Sequence, residues 1–391
     1  MESAVILEGA RTPIGKFLGA LAEVPTVELG VTATKEALRR ANVSPEDVQE
    51  VVFGHARQAG NGPNTGRQVA YRSGIPQEVP AFTANMACGS GTKAVQVAAE
   101  QIALGNAEVV VAGGMENMSR TPYLLDRARS GYRMGNAEVL DGMYRDGFVD
   151  PLSGCVMGET AENLARKYDI PREEQDEFAL SSQRKAAEGR ERRAREITPV
   201  EVAGRKGRTT LVTEDEHPRD DTTLEQLAKL KPVFASDGTV TAGSSSGVTD
   251  GAAAMVLMSE SRAKAEGRTP LAKLVAFASA GVDPVYMGIG VVPATRAVLE
   301  KTGLSLQDFD VIELNEAFAA QVLACDRELK LDHDRLNPKG GAIALGHPIG
   351  MTGARIVLTA AYELRERGLD LALATLCISG GMGMAVVLER A

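Results

Sequence analysis

The chain has 391 residues, 44% hydrophobic and 24% charged, with no Trp and a formal charge of −9. That length is enough for two or three domains around a large buried core. The acidic balance excludes a nucleic-acid partner, whose phosphates draw on a basic footprint, and no apolar run is long enough to make a membrane the partner.

The opening MESAVILEGARTPIGKF is a short apolar run between acidic residues without a cleavage-like tripeptide. It reads as a first strand, not a signal peptide, and points to a cytoplasmic protein. Ala33–Gly54 then reads as a helix, a Ser-led acidic turn and a β-branched strand. It lies without a gap over Ala294–Asn315, matching Leu38 to Leu299, Ser44 to Ser305 and Asp47 to Asp308. Gly251–Glu260 resembles Gly381–Arg390, and Glu8–Pro13 resembles Ser279–Pro284. The chain is therefore an internal duplication of one βα plan.

Between these segments, Cys88 stands before two glycines and an apolar periodic run closed by Gly105. A lone cysteine is more often a small buried hydrophobe than a nucleophile. Gly89-x-Gly-x-x-Ala94 is a weak dinucleotide fingerprint: AFTANMAC before it is a poor strand, and no acidic residue ends a second strand further on. The register of the repeat carries Cys88 into Gly346-His347-Pro348-Ile349-Gly350, before a helix from Thr352 to about Arg367 closed by Gly368. Two equivalent loops thus hold a Cys and a His at helix N-termini, where free N–H groups favour negative charge and a Cys88 thiolate is expected near neutral pH.

The second copy runs from strand Leu371–Cys377 through Ser379-Gly380-Gly381 almost directly into the last strand. In the first, a long stretch separates Glu108–Ala112 from Ala252–Met258. We read residues 1–117 with 250–268 as one half, 118–249 as an inserted substrate-covering domain, and 269–391 as the other half. Helices such as Ala161–Tyr168 and Gln175–Ala187 fall in the insertion. Its Arg184–Arg195 run, interleaved with Glu188, Glu191 and followed by Glu196, reads as a solvated helix face. Cys88, Cys155, Cys325 and Cys377 lack C-x-x-C spacing and are expected as free thiols, with no disulfide framework. His55, His217 and His333 lack ligand spacing and are expected to be surface or structural, so no metal is expected.

Four separated segments then share one resemblance. The Cys88 loop, Asn315-Glu316-Ala317-Phe318, Gly346-His347-Pro348 and Cys377-Ile378-Ser379 resemble thiolase motifs in thiolase order. Gly243–Gly247 followed by Asp250-Gly251-Ala252 resembles that family's coenzyme A-facing loop. The resemblance spans essentially the whole chain. It implies an α/β fold of duplicated halves in a layered α/β/α/β/α core with an inserted loop domain. It also implies an acyltransferase that joins or cleaves acyl-CoA thioesters reversibly.

In that reaction Cys88 would carry the acyl group, and His347 would deprotonate it and then donate to a thioester oxygen. Asn315 would hold a water or the oxygen itself, and Cys377 would be the acid/base at the α-carbon. The N–H groups of Cys88 and Ser379 would form a second oxyanion site. Arg219, Ser246, Phe234, Met157 and Phe318 would contact the coenzyme A and acyl parts. Coenzyme A is then substrate and product, no other cofactor is implied, and the partners are acyl-CoA and further copies of the chain. The assembly implied is a dimer or tetramer, with Asp126–Asp146 as the tetramer contact. A decarboxylating ketoacyl synthase would not need Cys377, and a non-catalytic acyl-CoA or lipid-binding relative would be free to lose Cys88 or His347. Ser379 replaces a glycine, with strain expected if its φ is positive. Val156 stands where a histidine is common, and Ser244 and Thr249 where Asn is frequent.

Overall fold

The computed structural model describes residues 2–204 and 208–391. The first half contributes β1 (Ala4–Arg11), α1 (Thr26–Ala41), β2 (Glu50–Gly54), α2 (Thr65–Arg72), β3 (Ala81–Ala84), α3 (Ser90–Ala103) and β4 (Val109–Asn117). The insertion brings α4 (Met157–Lys167) and α5 (Arg172–Glu188), and β5 (Thr249–Ser259) completes the first half. The second half is β6 (Ala272–Gly281), α6 (Val291–Thr302), β7 (Val311–Leu314), α7 (Ala319–Leu329), α8 (Ile349–Arg367), β8 (Leu371–Ile378) and β9 (Met382–Glu389).

The strands run in the order β7-β8-β9-β6-β1-β5-β4-β2-β3. Within each half the outer strands are parallel, β2 to β3 and β4 and β7 to β8, and those nearer the middle of the sheet are antiparallel. Among the described residues the strands of the two halves pair only where Val5 meets Lys273 and Ile6 meets Ala272, so two mixed sheets are joined by a narrow seam. The duplication is visible in detail: Ser44 and Ser305 each precede a one-turn 3-10 helix, Pro45–Asp47 and Leu306–Asp308, before the matching strands.

AFTA does form a strand, contrary to the poor strand read from its sequence. Its Ala81–Ala84 backbone pairs in parallel with Val51–Gly54, and Asn64 Nδ2 donates to Ala81 O. Tertiary pairing here overrides weak propensity. In the second half the counterpart is reduced to a single bridge, Ile312 to Leu336.

Helices α3 and α8 lie together between the two sheets in one apolar cluster. Every residue of α8 from Ile349 to Leu364 is buried, as a helix with protein on all sides requires. A Cβ at Gly91 would come within 2.5 Å of Ala354 N, and one at Gly353 within 2.5 Å of Thr92 N, so each glycine admits the other helix's backbone. Helices α1 and α2 cover the outer face of one sheet, and α6 and α7 that of the other. This is the expected α/β/α/β/α layering.

From the insertion, α4 and α5 bury Ala161, Leu164, Phe178 and Ala179 in the same cluster as α6, α7 and β7. The Arg-rich run corrects its reading as a solvated face. Arg184, Glu188, Arg190, Glu191 and Arg195 are exposed, but Arg193 and Glu196 are buried. Glu196 pairs with Arg11 and Lys339, Arg193 with Asp215, and Arg192 with Glu363. Partners distant in sequence turn part of the run into a buried ionic junction between the insertion and both halves.

Candidate active site

Cys88 lies in the turn between β3 and α3. Ser90 Oγ accepts from Met86 N and donates to Ala87 O, which closes the turn, and Ala87 is held at φ 45°, an unfavourable value for a side chain with a Cβ. A Cβ on Gly89 would meet Ile378 Cδ1 at 2.5 Å, so the loop abuts the end of β8. Cys377 is there, buried, one residue before the end of that strand. In the following turn the positive φ angles fall on Gly380 (86°) and Gly381 (76°), not on Ser379. The strain expected from a serine in the place of glycine is therefore absent.

His347 follows Gly346, whose φ is 97°, and its N–H donates to Gly247 O. Its ring is held at both nitrogens: Nδ1 lies 2.6 Å from Thr352 Oγ1 and Nε2 lies 3.5 Å from Asn315 Nδ2. Thr352 Oγ1 also reaches Pro348 O at 2.9 Å, a contact in which the hydroxyl must donate. It then accepts from Nδ1–H of the imidazole, which leaves Nε2 unprotonated. Asn315 directly follows β7, and its N–H donates to Thr375 O. Its Oδ1 is buried with no hydrogen-bond partner among the described residues.

Cys88, His347, Cys377 and Ser379 line one cavity of about 260 Å³ with Val156, Met157, Phe234, Ser246 and Phe318. Phe234 and Phe318 meet edge to face at 5.9 Å, and Gly158 leaves room for the Phe234 ring. Asn315 stands behind His347, outside the cavity lining. Arg219 is elsewhere: it is exposed, lines a second cavity of about 320 Å³ with His217 and Gln183, and makes no ion pair among the described residues. The Gly243–Gly247 loop joins the two, with Gly243 in the second cavity and Ser245, Ser246 and Gly247 in the first.

Burial pushes the Cys88 thiol above its ordinary value, against the pull of Arg57 and of the Ser379 and Cys88 N–H groups directed at the sulfur. Burial, with the charges of Cys88 and Cys325, pushes Cys377 well up. Burial, helped by Arg355 and Arg57, brings His347 down to about 3. The resting site thus holds two neutral thiols and a neutral imidazole. This corrects the expected standing thiolate at Cys88: N–H groups of Ser379 and of Cys88 itself, not of α3, reach the sulfur, and desolvation outweighs them.

Of the other histidines, His55 is fully buried, with Nδ1 3.0 Å from Thr65 Oγ1 and Nε2 3.2 Å from Glu116. His217 Nδ1 faces Ala344 O, and His333 faces Asp326. Among the described residues no group of three or more His, Cys, Asp or Glu is arranged to hold a metal ion, and no helix is long and apolar enough to cross a membrane. Sequence reasoning passed over Arg57, Tyr144 and Phe148, which also line the first cavity. The repeat offered a signal for Arg57, since its register sets that position over Phe318.

Two family models match the chain: "Thiolase, N-terminal domain" over residues 4–261 and "Thiolase, C-terminal domain" over residues 268–390. The acetyl-CoA acetyltransferase of Escherichia coli (strain K12) is 51% identical over 393 residues, covering 100% of both chains. A probable acetyl-CoA acyltransferase of Staphylococcus aureus (strain N315) is 47% identical, again over 100% of both. The crystal structure of the Bacillus anthracis acetyl-CoA acetyltransferase superposes with a TM-score of 0.97 at 47% identity, covering 100% of this chain and 99% of that one. With both halves of the duplication matched and the fold shared from end to end, the chain belongs to the thiolase family.

Proposed function

We propose that the protein is an acetyl-CoA acetyltransferase that condenses two acetyl-CoA to acetoacetyl-CoA and coenzyme A, and runs the reverse cleavage on this and longer 3-ketoacyl thioesters. The observation that carries this reading is one cavity shared by two thiols and the basic nitrogen of a neutral imidazole. His347 Nε2 takes the Cys88 proton as the sulfur attacks the first thioester carbonyl. The coenzyme A sulfur leaves with the proton of Cys377. This gives acetyl-Cys88, an imidazolium and a Cys377 thiolate, opposite charges in a low-dielectric space.

The Cys377 thiolate removes a methyl proton from the second acetyl-CoA. His347, with Asn315 and a water it holds, stabilises the enolate oxygen. The carbanion attacks acetyl-Cys88, the new carbon–carbon bond forms, and the Cys88–carbonyl bond breaks. Cys88 recovers its proton from His347, so all three groups return to their starting state. The N–H groups of Cys88 and Ser379 take the oxyanion at the acyl-enzyme carbonyl. Met157, Phe234, Phe318 and Ser246 enclose the acyl and pantetheine end, and Arg219 meets the nucleotide end in the second cavity.

On the same reading the enzyme works in the cytoplasm as a homo-oligomer. Its Asp126–Asp146 segment, with Tyr132, Met134 and Val139 exposed, serves as a contact between copies. A coenzyme A-dependent cleavage assay across 3-ketoacyl lengths tests the reaction: acetoacetyl-CoA should be cleaved to two acetyl-CoA. No cleavage of any length by folded protein would refute it.

A further inference from the structure

Arg57 is only 8% exposed, and what remains accessible faces the apolar cavity that contains Cys88. Its guanidinium forms no ion pair and donates no hydrogen bond among the described residues, and Nε is buried without any partner. Glu116, whose carboxyl the charge of Arg57 helps to hold down, is engaged elsewhere. It accepts from the N–H groups of Ala56, Arg57 and Gly350 and faces His55 Nε2 at 3.2 Å. The protein nevertheless makes room for the cation, because Gly147, also in the cavity wall, is the place where any Cβ would collide with the guanidinium.

The charge of Glu116 acts on it only through space, and a guanidinium whose donors are unused in an apolar enclosure is costly, whereas such a planar fork of donors matches a carboxylate. The cleavage direction puts the distal part of the substrate on Cys88, in this same cavity, with its methylenes against Phe148, Met157 and Met287. We propose that Arg57 is a specificity residue that receives a terminal carboxylate, so that the protein takes thioesters of short dicarboxylic 3-keto acids and carries their ω-carboxyacyl groups on Cys88. The proposal rests on the thioester-cleaving reading above. The bonds are those of that reaction: the bond between the α-carbon and the 3-keto carbon breaks, and acetyl-CoA leaves with a proton on its methyl group. Coenzyme A then takes the ω-carboxyacyl group from Cys88: its thiol proton passes to the Cys377 thiolate, and His347 returns the proton it holds to the Cys88 sulfur as the Cys88–acyl bond breaks.

Two coenzyme A thioesters of equal length, 3-oxoadipyl and 3-oxohexanoyl, separate the terminal carboxylate from chain length. The wild-type protein should show a kcat/KM at least about tenfold higher on the carboxylate chain, and Arg57→Leu should lower that ratio roughly 10²-fold, as expected when a buried polar partner is removed. Arg57→Gln, which keeps donors without the charge, should fall between. A wild-type preference for 3-oxohexanoyl overturns the proposal. So does an equal loss on both substrates in Arg57→Leu, which would tie the cation to the reaction itself. Thermal unfolding of both variants reports their integrity, and if neither folds the wild-type ratio alone decides. Acetoacetyl-CoA is the control: when it is cleaved and the ratio is below one, only the Arg57 assignment falls. When none of the three is cleaved, the underlying reaction is wrong as well.

Discussion

Thr352 fixes which nitrogen of His347 is a base: its Oγ1 lies 2.6 Å from Nδ1 and 2.9 Å from Pro348 O, so the hydroxyl donates to the carbonyl and accepts from the ring. Replacing it with Val keeps the shape and removes the acceptor. Thr352→Val should lower kcat about 10- to 100-fold, the usual cost of losing the partner that orients a working imidazole. Thr352→Ser should restore most of the activity. If Val and Ser variants behave alike, the hydroxyl does not set the tautomer.

The low pKa of His347, about 3, has a consequence for stability. A histidine ordinarily titrates near 6.5 when unfolded, so between these values the unfolded chain binds a proton that the folded one does not. Stability is complete above about pH 6.5 and is lost as pH falls toward 3, by up to about 1.4 kcal/mol per pH unit from this group. His347→Gln should lose less stability over that window. Unfolding midpoints measured from pH 7 to 4 check this, and identical acid profiles for the two proteins would count against it.

The two cysteines differ in access and in task. Cys88 is half-buried on the cavity wall and Cys377 is 1% exposed, so iodoacetamide should modify Cys88 first. Both thiols are held protonated at rest, so the rate of modification should keep rising above neutral pH and not level off there. Cys377→Ala should still become acetylated by acetyl-CoA at Cys88, while condensation falls by about 10² to 10⁴. Cys88→Ala should not acetylate. An acetyl group found on Cys377 by mass spectrometry would reverse the roles.

Ser379→Gly should be tolerated, within about twofold of wild-type turnover. The backbone there has no positive φ to relieve, and only the N–H is directed at Cys88, which glycine keeps. A large loss in a folded variant would mean that the hydroxyl takes part.

Val156 lines the acyl cavity, and its N–H is held by Glu159 Oε2 at 2.6 Å. Val156→His should keep that backbone bond and fill part of the 260 Å³ space. Activity on six-carbon and longer 3-ketoacyl chains should then fall relative to acetoacetyl-CoA, each excluded methylene forfeiting up to about 0.8 kcal/mol. An unchanged chain-length profile would show that other residues close the pocket.

Much of the molecule is legible in its sequence. The gapless match of Ala33–Gly54 to Ala294–Asn315 gave the two halves, because a repeated helix, turn and strand keep their local signals wherever they sit. Cys88, His347, Asn315 and Cys377 stood out because their segments resemble thiolase motifs at the ends of apolar strands and the starts of helices, and the fold brings Cys88, His347 and Cys377 to one cavity with Asn315 behind His347. What escaped the sequence depends on groups far apart in the chain. Arg193 and Glu196 read as solvated because their partners Asp215, Arg11 and Lys339 are not neighbours in sequence. AFTA became a strand only because β2 was there to pair with it. The protonation of Cys88 went against the helix-end argument because local sequence shows the donors but not the depth of burial, and burial is the larger effect. Arg57 is the sharpest case: composition shows one more arginine, and only the packing of Gly147 over it and the engagement of Glu116 by backbone N–H groups leave its guanidinium unpaired and facing the nucleophile's cavity.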